Sequence, residues 1–549
     1  MSNKKQYWSS LDEKNNKLEL NEKEFGTDLP VLNSLADTIS TQKSGRRDFL
    51  KMLGFGVSAA AVAAACEMPV RKSIPYVVKP EEITPGVPNY YASAYIQGGH
   101  YNSFLVKTRE GRPIMVEGNP DSNITSGGVN PKSIGSLLSL YDEAGRLKGP
   151  MKAGTSTDWD TASSEIGAKL AELAAAGKQI ALLSSTVISP STQKAIAKFS
   201  EAFPTANWVQ YDAISYHGAL EANAESFGKR AFPDYHFDKA DLIVGVGADF
   251  IGTWLSPTEF AADYAVGRKV DANKKTMSRH IQIESVPTLT GSNADVRIPV
   301  KPSQEDLAVL KLYNAVAKAM GSATVSDAGD FDSSKIEAVV AELLAAKGKA
   351  IVVSGSNNKS TQLLVNAINN MLGNYGATIT WDRACYYKQG DDAALATLLN
   401  DMSTGQVGAV LVMDANPAYS IGDAFTSALE KVALTVDFSE RRTETSGVVE
   451  YALPNHHYLE SWNDAMPKDG IYATVQPTIP NLFDTKATQE LLLAWASENV
   501  SYYDFIRANW KEEVLANQSK YTSFETLWTS AVHDGEVAFD AFGEASFTG

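Results

Sequence analysis

The sequence predicts a multi-domain α/β protein built on doubly wound parallel sheets. Three observations carry this expectation. A chain of 549 residues exceeds what one hydrophobic core serves and should divide into about three domains. From about residue 150 onward, short continuous apolar runs alternate with amphipathic stretches, the pattern of buried parallel strands joined by helices. A polar stretch, "GSATVSDAGDFDSSK" at 321–335, interrupts that alternation and marks a boundary between two α/β units.

Residues 1–40 are polar and charged with little periodicity, and read as an extended arm. Residues 41–72 contain "SGRRDFLKMLGFGVSAAAVAAACEMP", in which Arg46 and Arg47 precede a mostly apolar, small-residue run from Met52 to Ala65. A membrane-spanning helix needs about twenty apolar residues, so this run is too short to span. It fits the hydrophobic region of a signal peptide behind a twin-arginine pair. "AAAC" at 63–66 matches a lipobox imperfectly, with Ala63 where leucine is commoner. Cys66 is therefore either a lipid-bearing residue or a plain cysteine of a short helix, and the sequence leaves both open.

Residues 73–150 form a first domain, 151–330 an α/β unit and 331–447 a second one. Residues 448–549 return to the first domain and end in a helical segment. Strands are expected at 179–185, 241–250, 280–285, 349–355, 377–382, 408–417 and 433–439. The stretch "TASSEIGAKLAELAAAG" places Ile166, Leu170 and Leu173 on one helical face, with Gly177 as its stop.

The totals exclude several functions. A formal net charge of −16 argues against nucleic acid or an anionic membrane surface as partner. Two cysteines, Cys66 and Cys385, cannot supply the four thiolates of a cubane iron–sulfur cluster or a cysteine-rich zinc site. Neighbours on a strand alternate sides, so the adjacent His456 and His457 cannot serve one metal and are read as structural. "GVGADFIG" follows a strand but carries Phe250 at the third glycine of the dinucleotide fingerprint, and no phosphate-binding G-x-x-x-x-G-K-[ST] occurs.

The order of several phrases resembles the molybdopterin oxidoreductases of the DMSO reductase family. "VEGNP" at 116–120 and "LYDEAGRLKGPM" at 140–151 are similar to that family's opening, and "KADLIVGVGADF" and "VLVMDANPAYS" to its crevice loops. "TVDFSERRTETSGVVEYALPNHHYLESWND" looks like its return to the first domain. "YWSSLDE", "SIPYVVKPEEITPGVPNYYAS" and "HYLESWNDAMPKDGIYATVQPTIPNLFDTKA" narrow the resemblance to the B subunits of alternative complex III, bacterial quinol:electron-acceptor oxidoreductases. In the wider family a cysteine in the opening ligates an iron–sulfur cluster. The matching position in "GGVNPKS" is Asn130.

The resemblance implies a subunit with no cofactor of its own and no catalytic residue, working as a scaffold on the periplasmic side of the inner membrane. It implies a ferredoxin-like iron–sulfur region, either as a continuation of this chain or as a separate one, with continuation expected. It also implies multihaem and monohaem cytochrome c subunits and integral membrane quinol-binding subunits as partners. The alternative is an active molybdopterin oxidoreductase of the polysulfide reductase type, which needs a protein ligand to molybdenum. Cys385 is then the candidate thiolate and Asp249 and Ser256 are candidates by residue type alone; a small buried residue at a strand end is the expectation for Cys385. A free-standing periplasmic binding domain is a third possibility.

Overall fold

The computed structural model describes residues 84, 86–326, 329, 331–332, 334–540 and 545–548. Arg46, Arg47, Cys66 and the polar arm lie outside the described residues.

Two parallel sheets carry the α/β character. The first has seven strands in the order Thr155–Ser156, Met151–Lys152, Tyr451–Ala452, Leu434–Asp437, Val407–Met413, Gln179–Ser184, Ala206–Gln210. The five strands from Tyr451–Ala452 to Ala206–Gln210 run parallel. Alternation along them shows why the runs are apolar throughout. Ile180, Leu182 and Leu411 enter one core with Ile166, Leu170 and Phe199, whereas Ala181, Leu183 and Val410 enter another with Leu398, Met402 and Phe425. Both faces are covered, so Val407–Met413 and Leu434–Asp437 are buried at every residue. The expected helix spans Trp159–Ala175, is capped by the Asp158 carboxylate accepting from Thr161 N at 2.8 Å, and buries Ile166, Leu170 and Leu173. Gly177 ends it at φ +68°.

The second parallel sheet orders Val296–Pro299, Arg279–Glu284, Leu242–Val246, Ala350–Ser354. This corrects the expected division at 330. Ala350–Ser354, placed by sequence in the 331–447 unit, pairs with Leu242–Val246 from the 151–330 unit. Val407–Met413 pairs with Gln179–Ser184 in the other sheet. One α/β unit is thus nested inside the other rather than following it. An apolar run declares that a strand is buried; it does not declare which strand lies beside it, and the polar stretch at 321–335 falls in sequence between strands of one sheet.

The 377–382 strand is also reassigned. It forms as Ile379–Cys385, but antiparallel between Phe232–Tyr235 and Asn463–Lys468 in a five-stranded sheet completed by Ile471–Val475 and Glu536–Ala538.

The first domain is a three-stranded antiparallel sheet, Asn89–Tyr95, Asn102–Arg109 and Arg112–Gly118, packed under the Pro131–Leu140 helix. The later chain comes back to it. Leu459 joins the Phe104, Val106 and Leu140 core. Arg146 donates through both terminal nitrogens to Glu460, at 2.9 and 2.6 Å, with both side chains fully buried. The "GRL" phrase therefore holds a charged clamp between segments more than 300 residues apart.

Candidate functional site

In doubly wound sheets ligands bind outside the carboxyl ends of strands, where neighbouring connections run in opposite directions. In the seven-stranded sheet that switch point lies between Val407–Met413 and Gln179–Ser184. Asp414 follows the first strand with φ +50°, in the left-handed region, and Ser185 and Thr186 follow the second.

The chain itself covers this point. Lys388 Nζ donates to Gly98 O at 2.8 Å, and Gln389 N donates to Thr186 Oγ1 at 2.7 Å. Thr186 Oγ1 and Gly390 N both donate to Asp212 Oδ2, at 2.8 and 3.1 Å. Arg230 holds the carbonyls of Gln389 and Gly390 at 3.1 and 2.9 Å. From the other side the Gln97–Gly99 turn presses directly on Tyr387; a Cβ added to Gly99 would stand 1.8 Å from Tyr387 O. Two cavities remain. One of about 70 Å³ is lined by Gln97, Ser189, Asp414, His456 and Trp462 among others. One of about 280 Å³ is lined by His100, Lys132, Asp212, Lys388 and Tyr419 among others.

Asn130 occupies a specific structural role. It is the N-cap of the Pro131–Leu140 helix, its Oδ1 accepting from Ser133 N at 2.8 Å, with Pro131 in the first turn. Its Nδ2 donates to Thr258 Oγ1 at 3.1 Å, and Asn102 Nδ2 reaches the same oxygen at 3.2 Å. Thr258 sits in the first turn of the Pro257–Arg268 helix, beside Glu259.

Glu259 opens a buried charge cluster that sequence reasoning missed. Lys468 Nζ donates to Asp234 Oδ1 at 2.7 Å and to Glu259, while Tyr387 OH donates to Glu259 Oε2 at 3.0 Å. Burial alone would lower the Lys468 ammonium, but Asp234 and Glu259 outweigh it and hold its pKa well above the usual amine value. Burial raises Glu259, and the Lys468 charge wins at Asp234, which is lowered. One helical turn on, Asp263 is pushed up to about 8 by burial and then by Glu259. The sequence signal was faint. "EFAAD" puts two carboxylates four apart beside Phe260, and Lys468 stands before "DG", where a charge reads as part of a turn.

The residues singled out from sequence separate. Cys385 is buried at its strand end, its sulfur 3.6 Å from Pro233 O and Arg383 O, and burial pushes its thiol pKa well up. Asp249 is a turn-former: Oδ1 accepts from Thr290 Oγ1 at 2.7 Å and Thr290 N at 3.0 Å. Ser256 is buried as the residue before the Pro257–Arg268 helix. His456 Nδ1 lies 2.7 Å from Thr485 Oγ1. His457 Nδ1 accepts from Leu459 N at 3.2 Å, which leaves its Nε2–H for Ser139 Oγ at 2.9 Å. Burial and then the Arg146 charge push His457 down to about 4, so it is a neutral structural imidazole. Among the described residues no group of three histidine, cysteine or carboxylate side chains could hold a metal ion. Phe250 stacks on Phe237 with ring centroids 4.4 Å apart, so the missing third glycine is a core aromatic.

No family model matches the chain. It is 24% identical over 447 residues to the menaquinone reductase molybdopterin-binding-like subunit of Nitratidesulfovibrio vulgaris, a match covering 71% of this chain and 62% of that protein. The chain thus spans under two thirds of the length of this curated relative. Among solved structures it is similar to acetylene hydratase from Pelobacter acetylenicus, with a TM-score of 0.59, 12% identity and coverage of 82% of this chain and 75% of that one. The mixed parallel and antiparallel sheets of this chain follow the fold of that structure over the matched part. In sequence the chain is thus similar to a molybdopterin-binding-like subunit, and in fold to acetylene hydratase.

Proposed function

We propose that this chain is a subunit of a respiratory quinone oxidoreductase complex, of the alternative complex III type, and that it serves there as a cofactor-free scaffold. The likeness to a menaquinone reductase subunit supports the first part. The twin-arginine pair Arg46 and Arg47 supports export to the periplasmic side of the inner membrane, with Cys66 the candidate lipid attachment. Its partners in this reading are a ferredoxin-like iron–sulfur region, multihaem and monohaem cytochromes c and membrane quinol-binding subunits.

One observation supports the scaffold reading: Tyr387–Gly390 and Gln97–Gly99 meet over the switch point, where open α/β sheets take their ligands. Pockets for a single drug-sized ligand run from about 300 to 1,000 Å³, and the two cavities here hold about 70 and 280 Å³. The residues present do not fit two pterin dinucleotides. A cubane cluster fits no better, since Asn130 is spent as a helix cap and Cys385 is the one thiol among the described residues. What is kept supports scaffolding: the buried Arg146–Glu460 clamp and the Lys468 cluster hold segments distant in sequence together.

The test is purification from the native membrane in mild detergent, with molybdenum and tungsten analysis and pterin fluorescence. Co-purification with haem and iron–sulfur partners, without molybdenum or tungsten, is expected. Stoichiometric molybdenum with released pterin would sink the scaffold reading.

A further inference from the structure

The 280 Å³ cavity beside the strap has polar walls that are unevenly satisfied. Asp212 is spent: its carboxylate accepts from Thr186 Oγ1 and Gly390 N and lies 3.8 Å from Lys388 Nζ. Tyr211 OH and Ser420 Oγ bond each other at 2.9 Å. Three other groups keep donors to spare. Lys132 Nζ lies 5.6 Å over the Tyr95 ring and pairs with no carboxylate among the described residues. The half-buried His100 ring faces the same cavity. Ser185 is only 8% exposed, and its Oγ is buried without a hydrogen-bond partner.

The charges at this wall are set against one another. Lys132 stands in the first turn of the Pro131–Leu140 helix, where the helix dipole opposes a cation. Burial and then Lys388 lower its ammonium. Burial, then Lys388 and Lys132, push His100 down to about 3. Lys388 is itself lowered by burial, which Asp212 offsets only in part. Asp414 also lines the cavity, but its charge is not among those acting on these three side chains. Burial raises its carboxyl toward the neutral acid. An anion between Lys132 and His100 would relieve the repulsion.

The rest of the wall is apolar. Ile214 and Tyr419 line the cavity and are each 74% exposed, with Ala213 and Ala415 beside them in sequence. Apolar walls with a few placed polar groups are the usual make-up of a small-molecule site.

We infer that this cavity binds a small carboxylate with an apolar body, its oxygens accepting from Lys132, His100 and Ser185 and its body lying against Ile214 and Tyr419. The site goes beyond the scaffold reading and does not depend on it, since one small molecule needs far less room than two pterin dinucleotides.

Calorimetric titration of the purified full chain with benzoate tests it, at constant pH and ionic strength, with benzamide as the neutral isostere. Benzoate should saturate a single site, and benzamide should bind about tenfold more weakly or worse. Lys132→Gln should keep the wild-type melting temperature and weaken benzoate by about tenfold or more. Tyr419→Ala, at an exposed position, should weaken benzoate by removing the wall for its ring. Failure of benzoate to saturate a site, or equal affinity for benzamide, overturns the carboxylate site. Benzoate binding unaltered in both variants places it elsewhere and overturns the assignment. Inorganic phosphate binding more tightly than benzoate overturns the apolar body.

Discussion

Asn130 Nδ2 lies 3.1 Å from Thr258 Oγ1, while Asn130 Oδ1 lies 2.8 Å from Ser133 N. One side chain thus caps a first-domain helix and bonds the opening turn of the helix that carries Glu259. At the position where the family resemblance puts a cluster cysteine, an amide holds two of the chain's own helices together.

Replacing Asn130 by alanine should remove the cap and one interhelical bond, lowering stability by about 1–2 kcal/mol. Thr258→Val should cost a similar amount, since it strips the acceptor from both Asn102 and Asn130. A double-mutant cycle in urea should give a coupling of about 1 kcal/mol. Asn130→Cys should bind no cluster on iron and sulfide reconstitution, because one thiolate cannot replace four. A cluster absorbance band would show a latent metal site.

Part of this was legible in the sequence. "N-P-K-S" is itself a cap signature, an asparagine followed by proline in the first turn, and needed no homologue to interpret. The strands at 179–185, 241–250, 280–285, 349–355, 408–417 and 433–439 were visible because burial on both faces forces a continuous apolar run. Their partners were not, because pairing is decided across the sheet by packing between segments distant in sequence. Ile379–Cys385 shows the limit: its mixed residues suit an antiparallel strand, yet nothing local names Phe232–Tyr235 and Asn463–Lys468 as its neighbours. Lys468 was hidden for the opposite reason. Its charge looks solvated until Asp234, Glu259 and Tyr387 arrive from three other segments.

Breaking that cluster from one side should be costly. Lys468→Met leaves Asp234 and Glu259 buried without their cation, and the loss should be about 3–5 kcal/mol. Adding Asp234→Asn and Glu259→Gln to it should restore part of that loss, since no uncompensated charge then remains. Urea unfolding of the single and triple variants measures both. A triple variant less stable than the single one would mean that Lys468 contributes through packing alone.

Asp263 sets a pH dependence of definite sign. Its folded pKa is about 8, raised by burial and by Glu259, with Asp238 and Asp234 raising and Lys468 opposing. The folded protein therefore holds a proton that the unfolded chain releases near pH 4. The associated stability is fully present below the unfolded value and is lost as pH rises toward 8, at up to about 1.4 kcal/mol per pH unit. Asp263→Asn should flatten that slope between pH 5 and 8 in urea titrations. Unchanged slopes would assign the dependence to Asp437 or Glu440, each pushed up to about 7 by burial.

Gly99 tests the filled crevice most directly. Its φ of +72° disfavours any side chain, and a Cβ there would stand 1.8 Å from Tyr387 O and 3.1 Å from Thr186 Cβ. Neither obstacle is the end of a flexible side chain, so the backbone around Tyr387 must move. Gly99→Ala should then loosen the whole strap, because Lys388 bonds Gly98 O and Gln389 bonds Thr186 Oγ1. A loss of at least about 2 kcal/mol is expected from the strained φ and the displaced contacts together. Faster amide exchange should be confined to 97–100 and 386–390. Gly111→Ala is the comparison: its φ is +74°, but nothing lies within 4 Å of the added Cβ, so only the backbone penalty applies. Equal losses for the two substitutions would mean that the strap does not depend on the Gly99 contact.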